Sequence, residues 1–292
     1  MRRGVSERPP WPHVLPVTRH SLLHFDEGPF GFAGPLFVCM VGRGHRIKLP
    51  TEGTMVEIRV QRRIFERFPT FRRGIVVGRK ILNGGQSGDL KALLEEAETE
   101  ASRNPIDLKT DPRILIWNEA HKGFGSNPNK FPPAHAALIK RVQKAGAQLP
   151  FINNVVAIMN YNSIRDVLPV GGDDVASAGE CLELGFAKGT ESFVPLGSPD
   201  VQEHPLPDEI IYAVQPSGEV MCRRWNWRNG HRTRITEETR MIVMNVDALG
   251  EESEARAIST RDRVSSMLQI YCQAEVAVAM LSPSQPSYRY GS

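Results

Sequence analysis

The feature that most constrains this chain is that its helix-like and strand-like segments come in separate blocks. Between residues 89 and 161, apolar residues recur at spacings of three and four, the period of an α-helix. From 167 to 246 the pattern changes to short apolar runs separated by Gly, Pro and Asp, which is typical of strands. The sequence has no regular βαβ alternation, so we predict an α+β fold in which helices pack on β-sheets.

Individual segments carry their own signals. Residues 89–102 are predicted to form a helix capped by Asp89, and residues 135–145 a second helix that ends at Gly146. A third helix is predicted to begin within 151–161. The glycine-bounded apolar run 74–81 indicates a buried strand. Further strands are predicted at residues 182–186, 209–214, 219–223 and 241–246.

The two ends of the chain differ in composition from its centre. The first 20 residues are rich in Pro and Arg, and residues 24–42 interleave aromatic residues with glycines, which favours short strands and tight turns. We therefore predict an N-terminal extension over 1–54 and a mixed domain over 55–281. A long, largely apolar helix over 261–281 is predicted to close this domain, and 282–292 to be a tail.

Composition excludes several classes of protein. A chain of 292 residues can bury a sizeable core without disulfide or metal staples. Its four cysteines lie far apart with no CxxC pair, so we expect free thiols, no metal site and no cofactor. A net charge of +3 is too small to indicate a nucleic-acid binder by itself. No run of about 18 apolar residues exists, and the amino end does not resemble a signal peptide, so a cytoplasmic protein without a membrane span is expected.

The phrase FINNVVAIMNY places three asparagines, Asn153, Asn154 and Asn160, in an apolar setting. An asparagine amide offers two donors and an acceptor, so these residues can read the two ends of an amino-acid backbone. The alternative is that they satisfy turn carbonyls or cap a chain reversal. Buried amides must find partners in either case.

The phrase CRRWNWRNGHRTRITEET, at 222–239, combines tryptophans with a run of basic residues. Because Asn226 separates Trp225 from Trp227, both rings are predicted to face the same side of a strand. One interpretation is an aromatic wall with arginines, Arg228 among them, that grip a carboxylate or phosphate. Stacking on a nucleic acid is a second interpretation, and a strand with one packed and one solvated basic face is a third.

The phrase LPVGGDD, at 168–174, contains the pair Gly171 and Gly172, which permits close backbone approach to a ligand or a tight turn. Of the two aspartates that follow, Asp174 is the more open to a functional role. Glu119 is placed in a polar loop and His135 at the start of a helix, positions that are typical of surface or capping residues.

Taken in order, PNKFPPAHAALIKRV, LPFINNVVAIMNYNSIRDVLPVGGDD and CRRWNWRNGHRTRITEET resemble the B3/B4 domain of the bacterial phenylalanyl-tRNA synthetase β chain, particularly its stand-alone versions. The most specific piece is INNVVAIMNY, together with the closing T-x-I-T-x-x-T at 233–239. Weaker similarity begins at FERFPTFRRGIVVG, so the likeness covers about 65–246.

The resemblance implies a pocket that hydrolyses tyrosine mischarged on the phenylalanine tRNA, without a metal. It places Asn153, Asn154 and Asn160 beside that pocket, and it matches Asp174 to the acidic residue ending the family motif P-L-H-A-F-D. The histidine of that motif falls on Gly171, and a glutamate of the family falls close to His231. Both departures weigh against deacylation. By contrast, Trp225, Trp227 and Arg228 agree with the stand-alone proteins.

Three functions stay open. The first is a trans-acting deacylase of mischarged tRNA, with His231 as general base and Arg228 as the anion anchor. The second is a biosynthetic enzyme that condenses or cyclises a free aromatic amino acid, as in a Pictet–Spengler reaction, with His231, Asp174 or Glu119 moving protons. The third is a non-catalytic amino-acid or tRNA-binding module. The partner expected is an aromatic or related amino acid, or an aminoacyl-tRNA. The predicted substrate-binding residues are Asn153, Asn154, Asn160, Gly171, Gly172, Trp225, Asn226, Trp227 and Arg228.

Overall fold

The computed structural model describes residues 55–144, 146–177 and 181–291. Predictions made for residues 1–54 lie outside this part of the chain. The described residues form six α-helices and ten strands in two sheets, which confirms the α+β class. None of the described helices combines the length and the apolar character that crossing a membrane would need.

The helices and strands follow one another along the chain in mixed order. The helices are α1 Arg62–Arg67, α2 Gly88–Arg103, α3 Pro112–Gly123, α4 Ala134–Val142, α5 Asn154–Asp166 and α6 Ser253–Cys272. The strands are β1 Val56–Val60, β2 Arg72–Arg79, β3 Val170–Asp174, β4 Cys181–Phe186, β5 Ile210–Gln215, β6 Glu219–Arg223, β7 Arg228–Asn229, β8 Met241–Ala248, β9 Glu275–Leu281 and β10 Ser287–Tyr290.

The ten strands divide between two sheets. The larger sheet has the order β10-β1-β4-β5-β6-β7, and the smaller has the order β3-β8-β2-β9. Within the described chain β1 and β4 run parallel, whereas the other paired strands run antiparallel. The central strands of the smaller sheet, β2 and β8, are paired over their full eight-residue length.

Strand β8 shows how the layers are built, because successive side chains of a strand point to opposite faces. Met241 and Val243 belong to the apolar core shared with the larger sheet. Ile242 and Met244 belong to the core formed with α2, α5 and α6 on the other face. The smaller sheet therefore lies between the larger sheet and a layer of helices, and all eight residues of β8 are buried.

Most of the predicted elements are confirmed, with small shifts at their ends. The helix predicted over 89–102 is α2, but its cap is Ser87 instead of Asp89, since the Ser87 hydroxyl accepts from the backbone of Leu90 at 3.4 Å. The helix predicted over 135–145 is α4, which ends earlier, at Val142.

Helix α3 was missed because its sequence has little helical periodicity. Its apolar residues 114–117 are consecutive, so the sequence shows no clear apolar stripe, although the helix buries Ile114, Trp117, Ala120 and His121. Its start is nevertheless encoded locally: Pro112 occupies the first turn, and the Asp111 side chain accepts from the backbone of Arg113 at 2.9 Å. Glu119 consequently lies in a helix and not in a loop.

The predicted closing helix over 261–281 is wrong in its second half. Helix α6 ends at Cys272, Gln273 adopts a left-handed conformation with φ of 51°, and the chain turns back as β9. The run Val276–Leu281 is apolar enough for a helix or a strand, and pairing with β2 over the full length of β9 selects the strand. The residues predicted to be a tail include β10, which pairs with β1.

We predict that truncation after Ser282 lowers the free energy of unfolding by about 2–4 kcal/mol, measured by urea denaturation. The truncation removes Tyr288 and Tyr290, which pack against the inter-sheet core, and exposes the edge of β1. Removing only residues 291 and 292 is the control and should have little effect. Equal stability of the two truncated chains would contradict a structural role for β10.

Candidate cleft between the two sheets

A cleft opens at one end of the inter-sheet core, where apolar side chains give way to polar ones. It consists of an inner chamber of about 390 Å³ and an outer chamber of about 740 Å³. Helices α4 and α5, strand β3 and the turn after β6 surround it. The residues that line both chambers are Leu138, Arg141, Met159, Asn160, Gly172, Asp173 and Asn229.

The inner chamber contains a buried ion pair between Arg73 of β2 and Asp247 of β8, which are register partners. Arg73 donates from Nε to Asp247 Oδ1 at 2.7 Å and from Nη2 to Oδ2 at 2.8 Å, and the side chains are 2% and 4% exposed. The Tyr212 ring lies 4.8 Å from the guanidinium, and Trp225 donates to Asp247 Oδ2 at 3.1 Å. Both charges are thus held in fixed positions.

Asp173 of β3 is the second carboxylate of the chamber. Its side chain is buried, and its Oδ1 accepts from the Thr233 hydroxyl at 2.6 Å. Burial raises the pKa of Asp173 to about 6, outweighing the opposing effects of Thr233 and the positive charge of Arg73. A carboxyl group with this pKa can both accept and donate a proton near neutral pH.

Asn226 enters the chamber from the turn that follows β6. Arg224 and Trp225 adopt left-handed conformations with φ of 47° and 66°, and the Asn226 carbonyl accepts from the backbone of Ala134 at 2.9 Å. His121 Nε2 lies 3.1 Å from Asn226 Oδ1. Because burial lowers the pKa of His121 to about 4, its ring is neutral and its N–H donates to that oxygen. The Asn226 Nδ2 group has no partner among the described residues and can donate to a ligand in the chamber.

Six buried polar atoms at the chamber lack a hydrogen-bond partner among the described residues, and two of them are the ring nitrogens of His135. The other four are two donors, Arg73 Nη1 and Asn226 Nδ2, one acceptor, Asn245 Oδ1, and the Tyr212 hydroxyl, which can be either. Buried polar groups are normally paired, and each unpaired group costs about 1–3 kcal/mol. A ligand that carries both donors and acceptors would satisfy this cluster.

The outer chamber has a different character. Its charged residues are of both signs: Arg141 and Arg234, and Glu237 and Glu238. They form no continuous basic track. The apolar residues of its wall are Leu138, Leu149, Pro150, Ile152, Val156, Met159, Leu196 and Ile235.

The cleft brings together most of the substrate-binding residues predicted from sequence. Asn153 lies in the outer chamber, where it caps α5 by accepting from the backbone of Val156 at 3.0 Å. The predicted residues that line one chamber or both are Asn153, Asn160, Gly171, Gly172, Trp225, Asn226 and Trp227.

Two other predicted binding residues lie outside it. Asn154 is buried between helices, where it accepts from the backbone of Ser87 at 3.3 Å and donates to the carbonyl of Tyr271 at 3.4 Å. Arg228 extends toward Glu203, 3.9 Å away.

The three residues predicted to be catalytic also lie outside both chambers. Asp174 accepts from the backbone of Ala176 and from the Thr239 hydroxyl, so it holds two turns. Glu119 is exposed on α3 and pairs with the neighbouring Lys122. The backbone of His231 donates to the carbonyl of Val194 at 2.8 Å. The carboxylates that line the inner chamber are Asp173 and Asp247.

The prediction that Trp225 and Trp227 share one face of a strand is wrong. Strand β6 ends at Arg223, and the left-handed turn separates the two rings. Trp225 is 2% exposed and lies 5.1 Å from Trp117 in an edge-on contact. Trp227 is half-buried at the inner chamber, 4.7 Å from the Phe131 ring.

Other residues of the chamber were missed. In β8, Asn245 and Asp247 are two polar residues at a spacing of two in an otherwise apolar strand, a signal that could have marked them as facing one site. His135 was expected at a surface or cap, but it is buried and lines the inner chamber. Arg73 and Tyr212 carry no local signal, because only the packing of the two sheets brings them together.

Comparison with known proteins adds two findings. A family model described as the B3/4 domain matches residues 116–275, more than half of the chain. The fold is similar to the crystal structure of an N-terminal fragment of the phenylalanyl-tRNA synthetase β-subunit from Pyrococcus horikoshii, with 12% sequence identity and a TM-score of 0.40. That alignment covers 78% of this chain and 52% of the fragment. Comparison with curated protein sequences found no match.

We predict that acid destabilises the fold through two buried histidines. Burial lowers the pKa of His121 to about 4 and that of His135 to about 3, below the ordinary value of 6.5. Their contribution to stability is complete above pH 6.5 and is lost as the pH falls, because the unfolded chain then takes up protons that the folded chain refuses. Between pH 6.5 and 5 each histidine should lower the free energy of unfolding by roughly 2 kcal/mol.

The test is the free energy of unfolding of His121→Gln and His135→Gln as a function of pH. In each of these variants the free energy of unfolding should fall less steeply below pH 6.5 than it does in the unaltered protein. In the control His204→Gln, at an exposed position, it should fall as steeply as in the unaltered protein. Asp173 acts in the opposite sense, since its raised pKa adds stability that is lost as the pH rises toward 6. An unchanged slope in both buried variants would refute the assignment.

We also predict that Asp247→Leu lowers the free energy of unfolding by about 3–5 kcal/mol, because it leaves the Arg73 charge buried without its partner. The double variant Arg73→Leu, Asp247→Leu should lose clearly less than the sum of the two single variants. Urea denaturation of all four proteins gives the coupling energy. Additive losses would contradict the buried pair.

Proposed function

This chain belongs to the B3/4 domain family, and from that membership we propose that its cleft binds an aromatic α-amino acid, either free or as the aminoacyl group of a larger molecule. The observation that carries the proposal is the cluster of buried, unpaired polar atoms beside Asp173. A ligand that enters this chamber must offer acceptors to two donors and donors to a carboxylate and an amide oxygen.

The head group of an α-amino acid has this combination. Its carboxylate or carbonyl oxygens accept from Arg73 Nη1 and Asn226 Nδ2, and its ammonium group donates to Asn245 Oδ1 and to Asp173. Asp247 already neutralises Arg73, and a zwitterion has no net charge, so its binding leaves the net charge of the chamber unchanged. The apolar wall of the outer chamber then takes the aromatic side chain.

Asp173 is the residue that moves protons in this proposal. With a pKa raised to about 6, its carboxylate removes a proton from a bound ammonium group and returns it in a later step.

Between the two enzymatic functions, the charges of the outer chamber favour a small-molecule reaction on a free amino acid. Glutamates Glu237 and Glu238 stand beside the arginines there, and a tRNA acceptor stem would meet them. In a condensation of the Pictet–Spengler type, the amine attacks the carbonyl carbon of an aldehyde or ketone and water leaves. An aromatic carbon then attacks the iminium, and the ring carbon loses its proton to Asp173.

Deacylation of mischarged tRNA is the second candidate, and Arg141 is the observation that favours it. This exposed arginine lies where the two chambers meet, in position to contact a phosphate. Asp173 would then deprotonate the water that attacks the aminoacyl ester, and the ribose hydroxyl would leave. A protein that binds amino acids without turnover of either substrate would be a binding module.

Calorimetry with tryptophan, tyrosine and phenylalanine tests the binding proposal. At least one should bind at pH 7.5, and its N-acetyl derivative should bind at least about tenfold more weakly, because it has lost the charge-assisted hydrogen bonds of its ammonium group. Asp173→Asn should cause a similar loss, whereas Glu119→Gln, which lies outside the cleft, should bind as the unaltered protein does. Failure of all three amino acids to bind would reject the proposal.

The pH dependence of amino-acid binding tests whether the ionised form of Asp173 is the form that binds the ligand. Affinity for the amino acid should fall as the pH drops through about 6, because Asp173 gains a proton and loses its charge. Asp173→Asn should show no such decrease. Incubation with an amino acid and an aldehyde, and separately with mischarged tRNA, followed by mass spectrometry, then distinguishes the two reactions by their products.

A further inference from the structure

Strand β3 forms one edge of the smaller sheet, and it borders the cleft. In an antiparallel pair, alternate residues direct their backbone groups toward the partner strand and away from it. Asp247 donates from its backbone to the carbonyl of Pro169 at 3.1 Å, so the odd-numbered residues of β3 face β8. Val170, Gly172 and Asp174 therefore direct their backbone groups outward.

The backbone N–H groups of the two outer positions of this edge are already paired. The backbone of Val170 donates to the Ser163 hydroxyl at 3.2 Å, and that of Asp174 donates to the carbonyl of Thr233 at 2.9 Å. Between them, Gly172 makes no outward hydrogen bond to any residue in the described ranges, and it lines both chambers. One N–H and one carbonyl of a strand edge are thus available inside the cleft.

The two glycines of β3, Gly171 and Gly172, differ in whether packing explains the absence of a side chain. A Cβ on Gly172 would lie 3.0 Å from Met244 Cγ and 3.3 Å from the carbonyl oxygen of Val243, so crowding against β8 favours the glycine. A Cβ on Gly171 would meet no atom within 4 Å, and this residue does not have a positive φ, so neither packing nor backbone conformation requires it. A glycine inside a strand weakens it, and such a residue often marks close approach by a ligand.

We propose that Gly172 is a main-chain docking slot one residue long, in which a single α-amino acid unit pairs with the edge of β3 and lies against the bare backbone of Gly171. The proposal rests on the function proposed above and specifies how the substrate is recognised. In addition to the side-chain contacts proposed above, the third N–H of the ligand ammonium donates to the Gly172 carbonyl, and a ligand carboxyl oxygen accepts from the Gly172 N–H, as in the pairing of two strand residues.

The length of the slot selects the class of ligand. An extended peptide would need further edge N–H groups on both sides, but those of Val170 and Asp174 already donate to Ser163 and Thr233. The slot therefore accepts one amino-acid unit, with its side chain or an attached group directed into the outer chamber. Asn245 Oδ1, which belongs to the register partner of Gly171, lies on the same face as the bare glycine and provides a side-chain contact there.

The sequence allows a direct test, because it contains only two Gly-Gly pairs, at 84–85 and 171–172. In protein labelled with glycine that carries ¹³C at the carbonyl and ¹⁵N, an HNCO spectrum selects the amides of Gly85 and Gly172 alone. Adding an amino acid that binds in calorimetry should shift the Gly172 peak and slow its hydrogen exchange. Gly85, in the loop before α2, is the internal control and should not change.

The variant Gly171→Ala tests the close approach independently. Its methyl group meets no protein atom, so the unfolding temperature should stay within the range expected of a surface change, while affinity for the amino acid falls at least about tenfold. Gly84→Ala also adds a methyl group in open space, outside the cleft, and should bind normally. Binding in calorimetry with an unmoved Gly172 peak, or unchanged affinity of Gly171→Ala, would overturn the slot but leave the proposed function standing. Absence of binding by every amino acid would overturn both.

Discussion

The interaction on which the cleft depends is the buried ion pair of Arg73 and Asp247. Two charges withdrawn from water are costly unless their geometry is good and their remaining hydrogen bonds are satisfied. Here the two residues are register partners on the central strands of the smaller sheet, and their contact is bidentate. Trp225 donates a third hydrogen bond to Asp247. The pair interrupts the apolar core between the sheets and so determines where a polar chamber can form.

The remaining polar groups of the chamber are arranged around that pair. Tyr212 lies over the guanidinium, and the positive charge of Arg73 acts on Asp173 across the chamber. Arg73 Nη1, Asn226 Nδ2 and Asn245 Oδ1 are held without partners in the described chain, so internal hydrogen bonds do not close the chamber, which supports the proposal that a ligand occupies it. The stability lost in these unpaired groups is regained when a complementary ligand binds.

The helical layer and the turn after β6 convert this polar end of the core into a cleft with two environments. Asn226 reaches the chamber because the left-handed turn at Arg224 and Trp225 redirects the chain, and His121 orients its amide. Helices α4 and α5 add the apolar wall of the outer chamber. An inner chamber with buried polar groups, adjoining an outer one that has an apolar wall, suits a ligand with a charged head and an aromatic body.

Much of the architecture could be predicted from the sequence, since the blocks of helical and strand periodicity, the strand of 74–81 and the helix of 89–102 are local patterns. The asparagine phrase and the Gly-Gly pair also pointed to the region of the cleft. Errors arose where local signals are weak or ambiguous. Helix α3 has no apolar stripe, and the apolar run of β9 suits a helix as well as a strand until β2 pairs with it.

The sequence alone therefore determined the fold class, the family likeness and the segments that border the cleft, because these depend on periodicity and on contiguous motifs. Only the tertiary structure decided which polar residues share the chamber. Arg73, Asp173 and Asp247 lie far apart in the chain and meet through strand pairing in the smaller sheet, and Tyr212 joins them only when the two sheets pack. Burial by that packing, and not residue type, raises the pKa of Asp173 and leaves Asp174 in a structural turn.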